Sequence, residues 1–293
     1  MWALCSIFQE AGLPAGVLNL MFHDRANAAA ITQTLIAHPD IKKVNFTGST
    51  AVGRIIGRLC GENLKPVLLE LGGKAPAIVW EDADLDNAAL QCALGSFLFS
   101  GQICMSTERI LVHKAVRAQF EEKLKGTIDQ IFGPQTDAPV LITAPAATKT
   151  KNLVADAVTK GAQVVYGDVN AQEISNTRMR PVVISNISTD MDIYKTESFG
   201  PSVSLFEIET EEEALRIAND TEYGLSSAVF TEDLRRGFRL AKGIETGAVH
   251  INNMSVHDES ALPHGGAKAS GFGRFNSIGL PEWVRTKTVT YKY

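Results

Sequence analysis

A thiol and a carboxylate stand out in this chain as a pair able to work on a carbonyl carbon. Cys104 closes the run Phe97-Leu98-Phe99-Ser100-Gly101-Gln102-Ile103-Cys104, and Glu70 closes an apolar stretch that runs into Leu71-Gly72-Gly73-Lys74. A thiol attacks only as thiolate, and at an ordinary pKa of about 8.5 little thiolate exists at neutral pH. Cys104 therefore needs local help from a helix end, backbone amides or a cationic ring. The oxyanion formed on attack needs donors, of which the Cys104 amide is one candidate. A carboxylate at the end of an apolar strand is costly to bury unless paired or protonated. Burial raises its pKa toward neutrality, which suits a base that activates water against a thioester. The bland alternative for Glu70 is a structural carboxylate capping nearby amides. Cys5, Cys60 and Cys92 lie in apolar helical runs with no paired metal spacing and read as small buried hydrophobes.

Other stretches suit a nucleotide. Phe46-Thr47-Gly48-Ser49-Thr50-Ala51-Val52-Gly53 follows a strand and opens a helix, whose N-terminal amides can bind phosphate. Gly48 to Gly53 mimics a P-loop but fails at Arg54 and Ile55, where Lys and Ser or Thr are required, and no Gly-x-Gly-x-x-Gly occurs. Glu197, before Ser198-Phe199-Gly200-Pro201, can accept from both hydroxyls of a ribose; a plain Gly-Pro turn is the alternative. Gly72-Gly73 would let a cofactor ring approach the backbone. His257, in Val256-His257-Asp258-Glu259, reads as a loop histidine with local hydrogen bonds rather than as an acid or base. The last block is Pro263-His264-Gly265-Gly266-Ala267-Lys268-Ala269-Ser270-Gly271-Phe272-Gly273-Arg274.

The elements that must position these groups follow from periodicity. Helices are expected over residues 1–11, 26–37, 50–60, 84–99, 115–131, 146–160, 211–219 and 234–242. Strands are expected over 17–22, 43–46, 66–71, 76–80, 108–112, 163–166, 203–207, 228–231, 248–251 and 289–293, with a proline-bearing loop over 133–145. Strands alternating with helices imply a parallel sheet covered on both faces, an α/β fold.

With 293 residues, 45% hydrophobic and 21% charged, the chain has a globular composition and room for one large domain or two ordinary ones. A net charge of −5 argues against a general nucleic-acid binder. No apolar run is long enough to span a bilayer, and residues 1–10 carry no basic secretory n-region. The expectation is a reduced, cytoplasmic setting, with no nucleic acid, no membrane and no metal.

The four ordered blocks, around Glu70, Cys104, Glu197 and 263–274, resemble the NAD(P)-dependent aldehyde dehydrogenases. Val256-His257-Asp258-Glu259 and Gly273-Arg274-Phe275 look like the branch acting on salicylaldehyde, benzaldehyde and vanillin. The resemblance implies an incomplete Rossmann-type cofactor lobe plus an α/β catalytic lobe with a parallel sheet. It divides the chain into a dinucleotide-binding remnant (1–70), a catalytic domain (71–262), a segment returning to the cofactor lobe (263–284) and a terminal oligomerisation strand (285–293). It implies Cys104 as nucleophile and Glu70 as base. Gly48 and Ser49 would meet the pyrophosphate, and Val52 would lie beside the adenine. Leu71, Gly72 and Phe199 would line the nicotinamide, and Glu197 would hold its ribose. NAD or NADP is the expected cofactor, a small-molecule aldehyde the substrate and a homo-oligomer a conceivable assembly. In the family two earlier strands bring an asparagine, the second oxyanion donor, and a lysine for the adenosine ribose; neither falls within these 293 residues. Two other readings therefore stand beside aldehyde oxidation. One is a non-catalytic shortened paralogue, partner subunit or incomplete gene model. The other is a thiol esterase using Cys104 and Glu70 without a working cofactor site.

Overall fold

The computed structural model describes residues 1–171 and 173–293. The chain divides into two units, Met1–Val44 with Arg58–Pro66, and Asn45–Gly57 with Val67–Tyr293. The first holds α1 (Trp2–Glu10) and α2 (Ala28–Ala37). Both helices agree with the periodic pattern, and Gly12 just past α1 adopts φ 89°, the left-handed stop that glycine provides. Residues 17–22 form no strand, contrary to expectation: Val17, Met21 and Phe22 are exposed, and no described strand pairs with them. An apolar run becomes a strand only when a neighbouring ladder satisfies its backbone groups. Cys60 is buried as expected, whereas Cys5 is only half-buried.

The second unit opens with β1 (Val44–Thr47), from its second residue on, and with the first turns of α3 (Thr50–Glu62). There follow β2 (Val67–Glu70), β3 (Ala75–Val79), α4 (Leu85–Phe97), β4 (Thr107–His113) and α5 (Arg117–Phe132). After them come α6 (Ala144–Thr159), β5 (Gln163–Tyr166), β6 (Val182–Ser185), α7 (Asp192–Lys195) and β7 (Ser202–Ile208). The unit closes with α8 (Glu211–Asn219), β8 (Ala228–Phe230), α9 (Leu234–Gly243), β9 (His250–Ile251) and β10 (Gly271–Phe272). Seven strands form one sheet in the order β5-β6-β7-β4-β3-β8-β9, parallel throughout except for antiparallel β5 and β6. Three form a second sheet, β1-β2-β10, with β10 antiparallel to β2.

The parallel sheet is covered on both faces, as the alternation predicts. Ala77, Val79, Ile110, Val112 and Phe230 pack with α4 and α5 through Ala88, Ala89, Cys92, Phe120 and Leu124. The residues between them, Ile78, Leu111 and Val229, pack on the other face with Ala214, Ile217 and Leu240 of α8 and α9. Each buried Val, Leu, Ile or Phe among them contributes about 1.5–3 kcal/mol. Asp84 caps α4, accepting from the amides of Asp86 and Asn87, and Thr210 caps α8, accepting from Glu213 N. The periodic pattern misses β6, α7 and β10, each four residues or shorter. Residues 289–293 form no strand and pair with none among the described residues, another correction with the same cause as 17–22.

A buried charge cluster ties three strand entrances together. Glu108, the second residue of β4, accepts from Lys74 Nζ at 2.5 Å, just before β3. It also accepts from Ser198 N at 2.9 Å on both oxygens, just before β7. The neighbouring Arg109 is 1% exposed and donates to the carbonyls of Lys74, Ile217 and Ala218, the last two at the C-terminal end of α8. Burial lowers the pKa of Lys74, opposed by Glu108, and brings Arg109 down to about 10. Removing one member of such a pair strands its partner's charge. Glu108→Ala is expected to cost about 3–5 kcal/mol in urea unfolding; a loss below about 1 kcal/mol, the surface-pair range, would show that the cluster does not hold the loops.

Candidate active site

Cys104 is delivered by a chain reversal. α4 ends at Phe97, and Phe99, Ser100 and Gly101 then adopt left-handed conformations at φ 48°, 61° and 69°. For Phe99 and Ser100 this costs about 1–2 kcal/mol each, so the turn must be held from outside. Gln102 does so: its Nε2 donates to Phe99 O at 2.9 Å and Val140 O at 3.1 Å, and its Oε1 accepts from Ile142 N at 2.9 Å. Ser100 Oγ also donates to Val140 O at 2.9 Å. The 133–143 loop thus anchors the nucleophile turn.

The thiol and the carboxylate are brought together. Cys104 Sγ donates to Glu70 Oε1 at 3.2 Å. The same oxygen faces His264 Nε2 at 3.2 Å, and Thr47 Oγ1 donates to Oε2 at 3.2 Å. His264 Nδ1 lies 3.9 Å from Asp258 Oδ1. The histidine hydrogen bond, opposed by burial and joined by those from Cys104 and Thr47, holds Glu70 below the usual carboxylate pKa. Glu70 in turn raises His264. This corrects the expectation that burial lifts Glu70 toward neutrality: the donors outweigh the desolvation. Cys104 is pushed up to about 12, by burial first and then by the negative charges of Glu70 and Glu197.

Gly73 lies where no side chain fits. A Cβ there would stand 2.1 Å from Cys104 O, and its amide donates to Glu197 Oε1 at 2.7 Å. At Gly72 a Cβ would lie 2.8 Å from Glu197 Oε2. In this structure the room that the two glycines leave is filled by the Cys104 backbone and the Glu197 carboxylate. Burial raises Glu197 to about 7 against the Gly73 hydrogen bond.

One cavity of about 620 Å³ is bordered by Thr47, Gly48, Ser49, Glu70, Leu71, Gly72, Cys104, Glu197, Ser198 and Phe199. It therefore gathers every residue to which the resemblance gave a catalytic or cofactor role except Val52, which is exposed on α3 and outside that lining. Gly48 and Ser49 stand at the N-terminus of α3, and Ser198 Oγ is buried with no hydrogen-bond partner among the described residues. A helix N-terminus, where Ser49 Oγ accepts from Val52 N at 3.5 Å, a carboxylate of near-neutral pKa and a free hydroxyl around an apolar-walled cavity suit a phosphate-bearing ligand such as a dinucleotide. Among the described residues no cluster has the make-up of a metal site, and no helix is long and apolar enough to cross a membrane.

Two contributors escaped sequence reasoning. His264 lies in the last glycine-rich block, which carried the family resemblance but gave the histidine no role of its own; its adjacency to Glu70 follows from β10 pairing with β2, Gly271 opposite Glu70. A Cβ at Gly271 would lie 2.0 Å from Leu69 O, so the pairing itself demands glycine. Glu108 was read only as a strand residue, though an acid inside an apolar strand is the signal that could have found it. His257 bonds locally to Glu259 Oε1 at 3.1 Å, as expected.

The aldehyde dehydrogenase family model matches residues 1–289. The chain is 43% identical over 274 residues to a vanillin dehydrogenase of Pseudomonas fluorescens, covering 92% of this chain and 56% of that protein. It is 43% identical over 295 residues to a salicylaldehyde dehydrogenase of Pseudomonas sp. strain C18, covering 96% and 59%. The structure superposes on a salicylaldehyde dehydrogenase from Pseudomonas putida G7 complexed with salicylaldehyde at a TM-score of 0.90 and 37% identity, covering 99% of this chain and 62% of that one. The chain thus spans less than two thirds of the length of these relatives.

The thiol's surroundings set its reactivity. Thiolate is the charged form that burial and two carboxylates disfavour, so alkylation of Cys104 by iodoacetamide is expected to be slow at pH 7. It should climb about tenfold per pH unit through pH 10. Glu70→Gln removes one of the anions and should speed alkylation at fixed pH. Peptide mapping reports each cysteine separately, and free-thiol reactivity of Cys104 at pH 7 would contradict this account.

Proposed function

The chain belongs to the aldehyde dehydrogenase family, and from that premise we propose that it oxidises aldehydes, aromatic ones in particular, to carboxylic acids with NAD⁺ or NADP⁺. The observation that carries the reading is the Cys104 thiol against Glu70 in the wall of the 620 Å³ cavity. The similarity to vanillin and salicylaldehyde dehydrogenases supports the aromatic substrate class.

Cys104 reacts as the thiolate, its proton lost to solvent, so that the sulfur bonds to the aldehyde carbon as the carbonyl electron pair moves to oxygen. The Cys104 amide stabilises the oxyanion of the resulting thiohemiacetal. A bound nicotinamide cofactor supplies the two-electron acceptor for the hydride that leaves this carbon. With the hydride gone, the carbonyl re-forms and Cys104 carries a thioester. Glu70, an anion up to this point, takes a proton from water as the water oxygen attacks; the C–S bond then breaks, releasing the acid, and Glu70 passes that proton to the departing sulfur, which restores both the thiol and the carboxylate.

In this reading Gly48 and Ser49 hold the pyrophosphate at the α3 N-terminus. Glu197 holds the nicotinamide ribose, with Leu71, Gly72 and Phe199 around the ring and Val52 toward the adenine. The division into a cofactor lobe (1–70), a catalytic lobe (71–262), a returning segment (263–284) and an oligomerisation segment (285–293), together with a homo-oligomeric assembly, belongs to the same proposal.

Cys104→Ser is expected to abolish benzaldehyde- or salicylaldehyde-dependent nicotinamide reduction, measured as absorbance of the reduced cofactor. Glu70→Gln is expected to keep a burst of at most one equivalent and to lower the steady rate by about 10²–10⁴. Reduction that survives Cys104→Ser would end the nucleophile assignment.

A further inference from the structure

The base position is built from more than the nucleophile and the carboxylate. Glu70 Oε1 has two neighbours at 3.2 Å, Cys104 Sγ and His264 Nε2, while Oε2 is already held by Thr47. His264 and Glu70 have side chains 12% exposed each, so solvent screens their interaction little. The imidazole is itself fixed. His264 forms an isolated antiparallel bridge with Phe275, whose amide donates to His264 O at 2.7 Å, and the Phe275 ring lies 6.3 Å from the imidazole.

We propose that His264 is the positioning residue of Glu70: its Nε2–H holds the carboxylate beside the Cys104 thiol, and loss of its charge strengthens Glu70 as the base that activates water. This rests on the reading of Cys104 as nucleophile and Glu70 as base. An imidazolium stabilises the carboxylate anion and so weakens its pull on a proton. A neutral imidazole carrying its proton on Nε2 still donates the hydrogen bond but withdraws the charge. The hydrolytic step therefore accelerates as His264 deprotonates.

The groups around this pair set where that happens. Glu70 and Asp258 favour the imidazolium, whereas burial and Arg274 oppose it, with the Glu70 hydrogen bond dominant. His250, half-buried, faces His264 electrostatically and is held below the ordinary histidine value, chiefly by desolvation, so it adds no positive charge at neutral pH. On the far side of Glu70 stands the Cys104 thiol, with Glu197 beyond it. The sign follows: the His264 charge persists above the ordinary histidine pKa of about 6.5, and the acceleration begins only above that pH. Glu70 itself titrates below the usual carboxylate range and contributes no inflection there.

The test needs no cofactor. Histidine Cε1–H resonances of the native chain, with the His264 signal identified by its loss in His264→Gln, are titrated against pH. His264 is expected above 6.5 in the native chain and at least one pH unit lower in Glu70→Gln; equal midpoints in the two would overturn the coupling. The function is read from a nitrophenyl ester, whose burst reports acylation of Cys104 and whose steady rate reports hydrolysis of the acyl-enzyme. In the native chain the steady rate should rise with pH through an inflection at the His264 midpoint. His264→Gln keeps a donor but cannot titrate, so it should retain the burst and lose the inflection at the His264 midpoint, while any inflection from Glu197 at about 7 is common to both chains and cancels in the comparison. His264→Phe removes the donor as well and should slow hydrolysis about tenfold. Superimposable pH profiles for the native chain and His264→Gln would refute the role. A native chain without any burst would refute the nucleophile reading and this role with it, while the histidine titration would still show whether the two side chains are coupled.

Discussion

The site depends on one buried carboxylate that is not in it. Glu108 receives the Lys74 ammonium from the segment entering β3 and the Ser198 amide from the segment entering β7, while itself lying on β4 between those two strands. The arrangement is costly to desolvate, which is why every partner is satisfied together. Its consequence is geometric. The loops carrying Glu70-Leu71-Gly72-Gly73, Cys104 and Glu197-Ser198-Phe199 precede three neighbouring parallel strands, and the cluster pins their entrances side by side. Cys104 and Glu197 thus lie before the N-terminal ends of the seven-stranded sheet's strands, not at the C-terminal ends where ligands of open α/β sheets usually bind, and meet Glu70 at the C-terminal end of β2 in the other sheet.

Above that cluster, close backbone approach replaces side-chain packing. Gly73 lies against the Cys104 carbonyl and sends its amide to Glu197, and Gly271 lies against Leu69 so that β10 can pair with β2. The left-handed Phe99 and Ser100 are tolerated because Gln102 ties their turn to Val140 and Ile142. The strain is local and the hydrogen bonds that hold it are named, as expected where a nucleophile must be presented to a cavity. The electrostatics then divide the acids into distinct states. Glu70, surrounded by donors, is held low, whereas Glu197, with one amide and much desolvation, rises to about 7.

Most of the elements were legible because they are long and periodic. β3 and β4 are apolar on both faces because helices cover both, and α4, α5, α8 and α9 carry their buried residues at helical spacing. The short elements were not legible: β10 contains Gly271 and Phe272 alone and exists only because β2 lies beside it. The apolar runs at 17–22 and 289–293 erred in the opposite direction, since local β-propensity cannot supply a partner strand.

By itself the sequence determined which residues are candidates for chemistry. Cys104, Glu70 and Glu197 were identifiable as nucleophile, base and ribose acceptor candidates, because a reactive thiol and strand-end acids among glycines are chemically conspicuous and their order along the chain resembles one family. Only the tertiary structure decided how those groups meet. That Glu70 shares one oxygen between Cys104 and His264, that Glu108 joins three loops and that Val52 lies outside the cavity are consequences of strand order and pairing. Residues 194 positions apart, such as Glu70 and His264, come within 3.2 Å because a two-residue antiparallel pairing brings the last glycine-rich block beside β2, and no local pattern in the chain encodes that contact.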